Sequence, residues 1–114
     1  MTHSVELTVN GRIKRLKFTI SEVKALEARL GKPAGDIFAD LGKLSITSLQ
    51  QVLWAALRHE DKKLRFEDVE TMLQAHLEGG GSLLEFLYAI NDAAVASGLF
   101  GRGAGDEEAK TTTG

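Results

Sequence analysis

The sequence contains no cysteine in its 114 residues. Disulfides and thiolate chemistry are therefore excluded, and with them the commonest staple of small secreted scaffolds. No apolar run approaches the roughly 18 residues a membrane span requires. Residues 1–10 carry no basic segment followed by an apolar stretch, so no signal peptide is expected there. Neither sign of charge dominates: 14 basic and 16 acidic residues leave a net charge of −2. Phosphate binding needs a clear cationic excess, so nucleic acid is disfavoured as the main partner, although a local basic patch is compatible with this balance. What is present is ordinary globular material, 43% hydrophobic and 26% charged, enough for one core but not for a large cleft. The expectation is one soluble, cytoplasmic domain.

Catalytic signatures are missing as well. His3, His59 and His76 show no pair at a helical ligand spacing, and His76 projects onto an apolar stripe, as a boundary histidine with one satisfied nitrogen does. Glu67, Asp68 and Glu70 fall in the first turn of a predicted helix, where the positive end of the helix dipole accounts for them. Ser45 and Ser82 read as helix caps, with no Gly-x-Ser-x-Gly elbow. Gly79 to Ser82 lacks the Gly-Lys-Ser/Thr ending of a phosphate loop and follows a helix rather than a strand. No enzyme activity, cofactor or metal is expected.

The patterning that is present starts with a β-hairpin over residues 5–20. Val5, Leu7 and Val9 alternate with polar residues, Asn10-Gly11 suits a type I′ turn, and Leu16, Phe18 and Ile20 alternate on the return. A two-residue turn sets Val5 opposite Leu16 and Leu7 opposite Lys14. Ile13 is then out of phase, and a bulge or longer loop near Arg12 is the expected remedy. Arg12, Lys14, Arg15 and Lys17 make this strand basic, as a solvated edge that discourages aggregation would be.

Helices fill residues 21–98. Thr19 with Glu22 fits a capping box, Ser21 is an equal N-cap candidate, and Val23, Leu26 and Leu30 share a face that Gly31 ends. After the breaker Lys32-Pro33-Ala34-Gly35, Asp36 is expected to cap a short helix carrying Ile37, Phe38 and Leu41. Ser45 opens a stronger helix with Ile46, Leu49, Val52, Leu53, Ala56 and Leu57 on one stripe. Past a polar connector, Phe66, Val69, Met72, Leu73 and Leu77 form the next. Gly79-Gly80-Gly81 breaks the chain, Ser82 with Glu85 makes a second capping box, and the last helix runs to Ser97 before Gly98. The fold class is thus α+β and mostly helical: a hairpin followed by four to five helices in one globular domain over residues 1–100. Residues 101–114, rich in Gly, charge and threonine, are expected to be disordered.

Two features exceed the needs of a simple bundle. At 100° per residue, Trp54 sits roughly 120° from the centre of its helix's apolar stripe. In the last helix, Leu83, Phe86, Leu87, Ile90 and Ala94 form one stripe, and Leu84, Tyr88 and Val95 form a second, rotated by about 120°. So wide an arc is either sandwiched within the domain, where the hairpin needs a surface to pack on, or covered by a partner. Burial within the domain is the favoured expectation.

The order of these features resembles the small tail-assembly chaperones and tail proteins of siphophages and gene transfer agents. The resemblance spans Val5 to Phe100. It rests on the opening strand pair VELTVNGRIKRLKFTI, the helix EVKALEARLG, the segment GDIFADLGKLS, the helix SLQQVLWAALRHED with its Val52–Leu57 core, and the acidic-start helix FEDVETMLQAHLEGG. It implies no catalytic residues. It implies a protein that escorts the long, helical, hydrophobic tape-measure protein in the host-cell cytoplasm while the tail tube assembles, and in some members a ribosomal frameshift appends a second domain. On this view Trp54, Leu84, Tyr88, Val95, Leu99 and Phe100 are the expected protein-binding residues, being aromatic or apolar groups outside a core stripe. The alternatives are a structural tail subunit retained in the particle, a homo-oligomer using the second stripe, and a small regulatory module binding nucleic acid through the basic hairpin.

Overall fold

Alternating strand residues and a turn that accepts positive φ set the first element. In the structure, a computed structural model that describes residues 4–99, β1 (Val5–Val9) and β2 (Arg12–Leu16) form an antiparallel hairpin. His3, Phe100 and the segment 101–114 lie outside the described residues. Asn10 (φ 56°) and Gly11 (φ 79°) are the two turn residues, both left-handed as a type I′ turn demands. Val5 faces Leu16 and Leu7 faces Lys14, as the spacing predicts. The expected bulge near Arg12 is absent, because the ladder runs unbroken to Val9↔Arg12. Ile13 instead faces Thr8 on the outer side and stays 59% exposed. Exposing one isoleucine costs less than interrupting a five-residue ladder.

The hairpin leads into α1 (Ile20–Leu30). Thr19 is the N-cap residue, and Glu22 accepts from the Thr19 backbone N–H at 3.0 Å and from its hydroxyl, which decides between the two candidate caps. Ile20, the last apolar residue of the return pattern, opens the helix and faces solvent. The short α2 (Ala34–Ala39) is not capped by Asp36, which lies in its first turn. Pro33 holds the cap position and Glu27 Oε2, reaching from α1, accepts from the Ala34 N–H at 2.7 Å. A 3₁₀ turn (Leu41–Lys43) then precedes α3 (Ile46–Leu57), whose N-cap Ser45 Oγ accepts from the Ser48 N–H at 3.1 Å.

α3 is the hub. Leu49, Val52, Leu53, Ala55, Ala56 and Leu57 are all buried, a wider arc than one stripe, because α1, α4, α5 and β2 all pack around it. The Ala56 carbonyl near its C-terminus accepts from the Lys17 N–H at 3.0 Å, tying the end of the hairpin to the hub. Ile46 begins the helix beyond the core and is exposed. α4 (Phe66–Glu78) lies against α3 and buries fully only Val69 and Leu73, leaving Leu77 42% exposed.

α5 (Leu83–Ser97) completes the core with Phe86, Ala89, Ile90, Ala93 and Ala94. The small residues Ala89 and Ala93 let it approach closely, so its buried arc is centred opposite the second stripe. The hairpin packs on α5 through β1 and on α3 through β2, and neither strand covers that stripe. The favoured expectation that the domain itself buries Leu84, Tyr88 and Val95 is therefore overturned: all three are exposed. The expected capping box at Ser82 forms by half. Ser82 Oγ accepts from the Leu84 N–H at 3.0 Å, while the Glu85 carboxylate is engaged by His76 Nε2 at 2.5 Å instead of returning to the cap.

Candidate functional site

The largest group of apolar side chains left in water on one element lies along α5. Leu84 is 54% exposed, Tyr88 66% and Val95 38%. At 100° per residue these positions fall within about 40° of arc, and eleven residues at 1.5 Å make the row about 16 Å long. Asn91 is exposed within the same row, and Asp92 and Glu85 border it on one side. Leu99, 38% exposed, continues past the Gly98 C-cap, where its N–H donates to Ser97 Oγ at 3.1 Å. The face is narrow, straight and apolar with a polar residue near its middle, the pattern of one helix presented to another.

Trp54 belongs to a different surface. Its indole is half-buried on α3, and Nε1–H donates to the Leu64 carbonyl at 3.1 Å. The Arg29 and Arg58 guanidinium groups each lie 4.7 Å from its ring centroid, and Arg29 also reaches the Phe66 ring at 4.9 Å. Each such cation–π contact contributes on the order of 0.5–1 kcal/mol at a half-exposed site. Beside it Gln50, 6% exposed, donates from Nε2 to the Phe66 carbonyl at 3.0 Å. Trp54 and Gln50, one turn apart on α3, thus hold the connector and the start of α4. None of these partners of Trp54 is on α5, so the structure gathers Leu84, Tyr88, Val95 and Leu99 and leaves Trp54 apart. Phe100 lies outside the described residues.

The boundary histidine His76 lies in a cleft of about 350 Å³ lined also by Asn10, Gly11, Gly79, Gly80, Gly81 and Glu85, a grouping that the sequence did not indicate. His76 packs edge-on against Phe86 with ring centroids 4.7 Å apart, and only 10% of its side chain is exposed. Beside this histidine–carboxylate pair, Ser82 Oγ accepts from the Leu84 N–H as the cap of α5. No group of three or more metal-ligating side chains occurs among the described residues.

The cations of the basic strand are divided between its two faces. Strand alternation puts Arg12 and Lys14 on the inner side and Arg15 on the outer side of the hairpin, and Arg15 pairs with Glu6 and Glu60, each at 3.4 Å. The perturbed acid is elsewhere, at the start of α4. The Arg65 backbone N–H donates to Asp68 at 2.9 Å and its guanidinium at 3.1 Å, and these contacts hold the Asp68 carboxyl below the usual carboxylate range. Asp68 in turn raises Arg65. Both are exposed groups that secure a helix start. Among the described residues no helix is long and apolar enough to cross a membrane. Comparison with protein-family models, curated proteins and solved structures finds no match to this chain.

Proposed function

We propose that the chain is a protein-binding module that works as a phage-type tail-assembly chaperone, engaging a helical, apolar segment of a tape-measure protein in the host-cell cytoplasm. The observation that carries this reading is the row Leu84, Tyr88 and Val95, exposed on α5 with no other element of the described residues over it. The order of sequence features, which resembles that of tail-assembly chaperones, supports the assignment of partner. Fully burying such a side chain is worth roughly 1.5–3 kcal/mol; Leu84, Tyr88 and Val95 are 54%, 66% and 38% exposed, so about half of that is available from each, against several kcal/mol for association and side-chain ordering. The three side chains alone therefore leave little surplus, and the binding they support is weak and reversible. Such an affinity suits a chaperone, which must hold an apolar segment and then yield it to the growing tail.

Co-expression with the tape-measure protein followed by pull-down tests this directly. The expected result is a soluble complex with the wild-type chain and its loss with the Leu84→Glu, Tyr88→Glu double variant, whose helical circular dichroism and melting temperature stay at wild-type values. An undiminished complex with that variant would refute the α5 face. A chain found in purified particles at a ring-like stoichiometry would make it a structural tail subunit instead.

A further inference from the structure

We propose that the free edge of β1 pairs with the same edge of a second copy, joining two hairpins into one four-stranded antiparallel sheet. This stands apart from the α5 face and does not rest on the function proposed above.

A two-residue turn fixes which backbone groups point inward. The turn-flanking pair Val9↔Arg12 exchanges hydrogen bonds, and with strict alternation so do Leu7↔Lys14 and Val5↔Leu16. The N–H and C=O groups of Glu6 and Thr8 must then point away from β2. No hydrogen bond joins them to any other described residue, whereas the equivalent outward N–H of Lys17, just past β2, is taken by Ala56. The two edges also differ in chemistry. β2 reads RIKRL and is blunted by cations, while β1 reads VELTV, with no Lys, Pro or bulge to discourage addition of a strand.

The occupant follows from self-complementarity. A two-fold axis at Leu7 sets Glu6 opposite Thr8 of the second copy in both directions, and these are the residues whose groups point outward. Every outward donor and acceptor of Glu6 and Thr8 then finds its partner. No like charges face each other, and each Glu6 remains neutralised by its own Arg15 at 3.4 Å. Shifting the axis to Glu6 would oppose two carboxylates. Shifting it to Thr8 would pair Glu6 with the turn residue Asn10. On the inner side, Val5 and Leu7 are only partly buried in the single chain, and the same register places them beside Val9 and Leu7 of the second copy.

Sedimentation of the full chain across micromolar to sub-millimolar concentration tests this, together with residue-resolved amide exchange. The expected result is a reversible dimer, with Glu6 and Thr8 amides becoming protected as concentration rises. Thr8→Glu opposes like charges twice across the seam and is expected to raise the dimer dissociation constant about tenfold. Thr8→Lys places opposite charges there and is expected to hold or lower it. Circular dichroism of both variants should match wild type, since residue 8 is exposed. A chain that stays monomeric, a dimer whose Glu6 and Thr8 amides stay unprotected, or equal effects of the two substitutions would overturn the proposal.

Discussion

Replacing Gly81 by alanine tests whether the His76 niche is as closely built as its geometry requires. A methyl carbon at residue 81 would lie 2.1 Å from His76 Nε2 and 2.4 and 2.5 Å from two ring carbons. Cβ contacts under 3.0 Å are essentially never seen, so the imidazole has to move by about an ångström. It cannot do so freely, because the ring also packs edge-on against Phe86 and Nε2 engages Glu85. Overpacking of this kind costs about 1–3 kcal/mol, or about 4–8 °C in melting temperature per kcal/mol for a domain of this size. His76→Ala removes the obstacle. It also frees Glu85 to return to the Ser82 N–H and complete the capping box, which offsets part of the lost packing. In the His76→Ala background, Gly81→Ala is therefore expected to cost less than about 0.5 kcal/mol, or to stabilise slightly by restricting the unfolded chain. Urea melts of the four proteins give the coupling, expected at about 1–2 kcal/mol. A neutral Gly81→Ala, or two substitutions whose effects simply add, would refute the reasoning.

Other substitutions probe the connector and the start of α4. Trp54→Phe keeps an aromatic ring near Arg29 and Arg58 but leaves the Leu64 carbonyl without its donor; the expected loss is about 1 kcal/mol, read by chemical denaturation. Gln50→Leu keeps the volume and removes the donor to the Phe66 carbonyl. Because that carbonyl also serves the first turn of α4, the expected cost is again about 1 kcal/mol, and the tryptophan emission of Trp54 should shift as the connector loosens. Asp68 has a depressed pKa, so its contribution is present above the ordinary carboxylate value of about 3.9 and is lost as pH falls through the lower folded value. The gap in melting temperature between wild type and Asp68→Asn should be full at neutral pH and shrink as pH falls below the ordinary carboxylate range; a gap unchanged on acidification would remove Asp68 from the account.

The sequence by itself determined each element whose cause is local. Turn chemistry and period-2 alternation set the hairpin register at Asn10-Gly11, and Thr19, Gly31, Ser45, Ser82 and Gly98 bound the helices because caps and stops act on their own backbone. The second apolar stripe of α5 was legible in the same way, as a fact about one helix. Which way a stripe faces is not local. Only the packing of Ala89 and Ala93 against the core turned Leu84, Tyr88 and Val95 outward, since helical periodicity is the same whichever arc is buried. The placement of Trp54 beside Leu64, the burial of Gln50 against Phe66 and the meeting of His76 with Glu85 likewise join residues nine or more positions apart. Such pairings are set by where helices cross. Side-chain type states what each residue can bond, but the tertiary fold decides which of those partners comes within hydrogen-bonding distance.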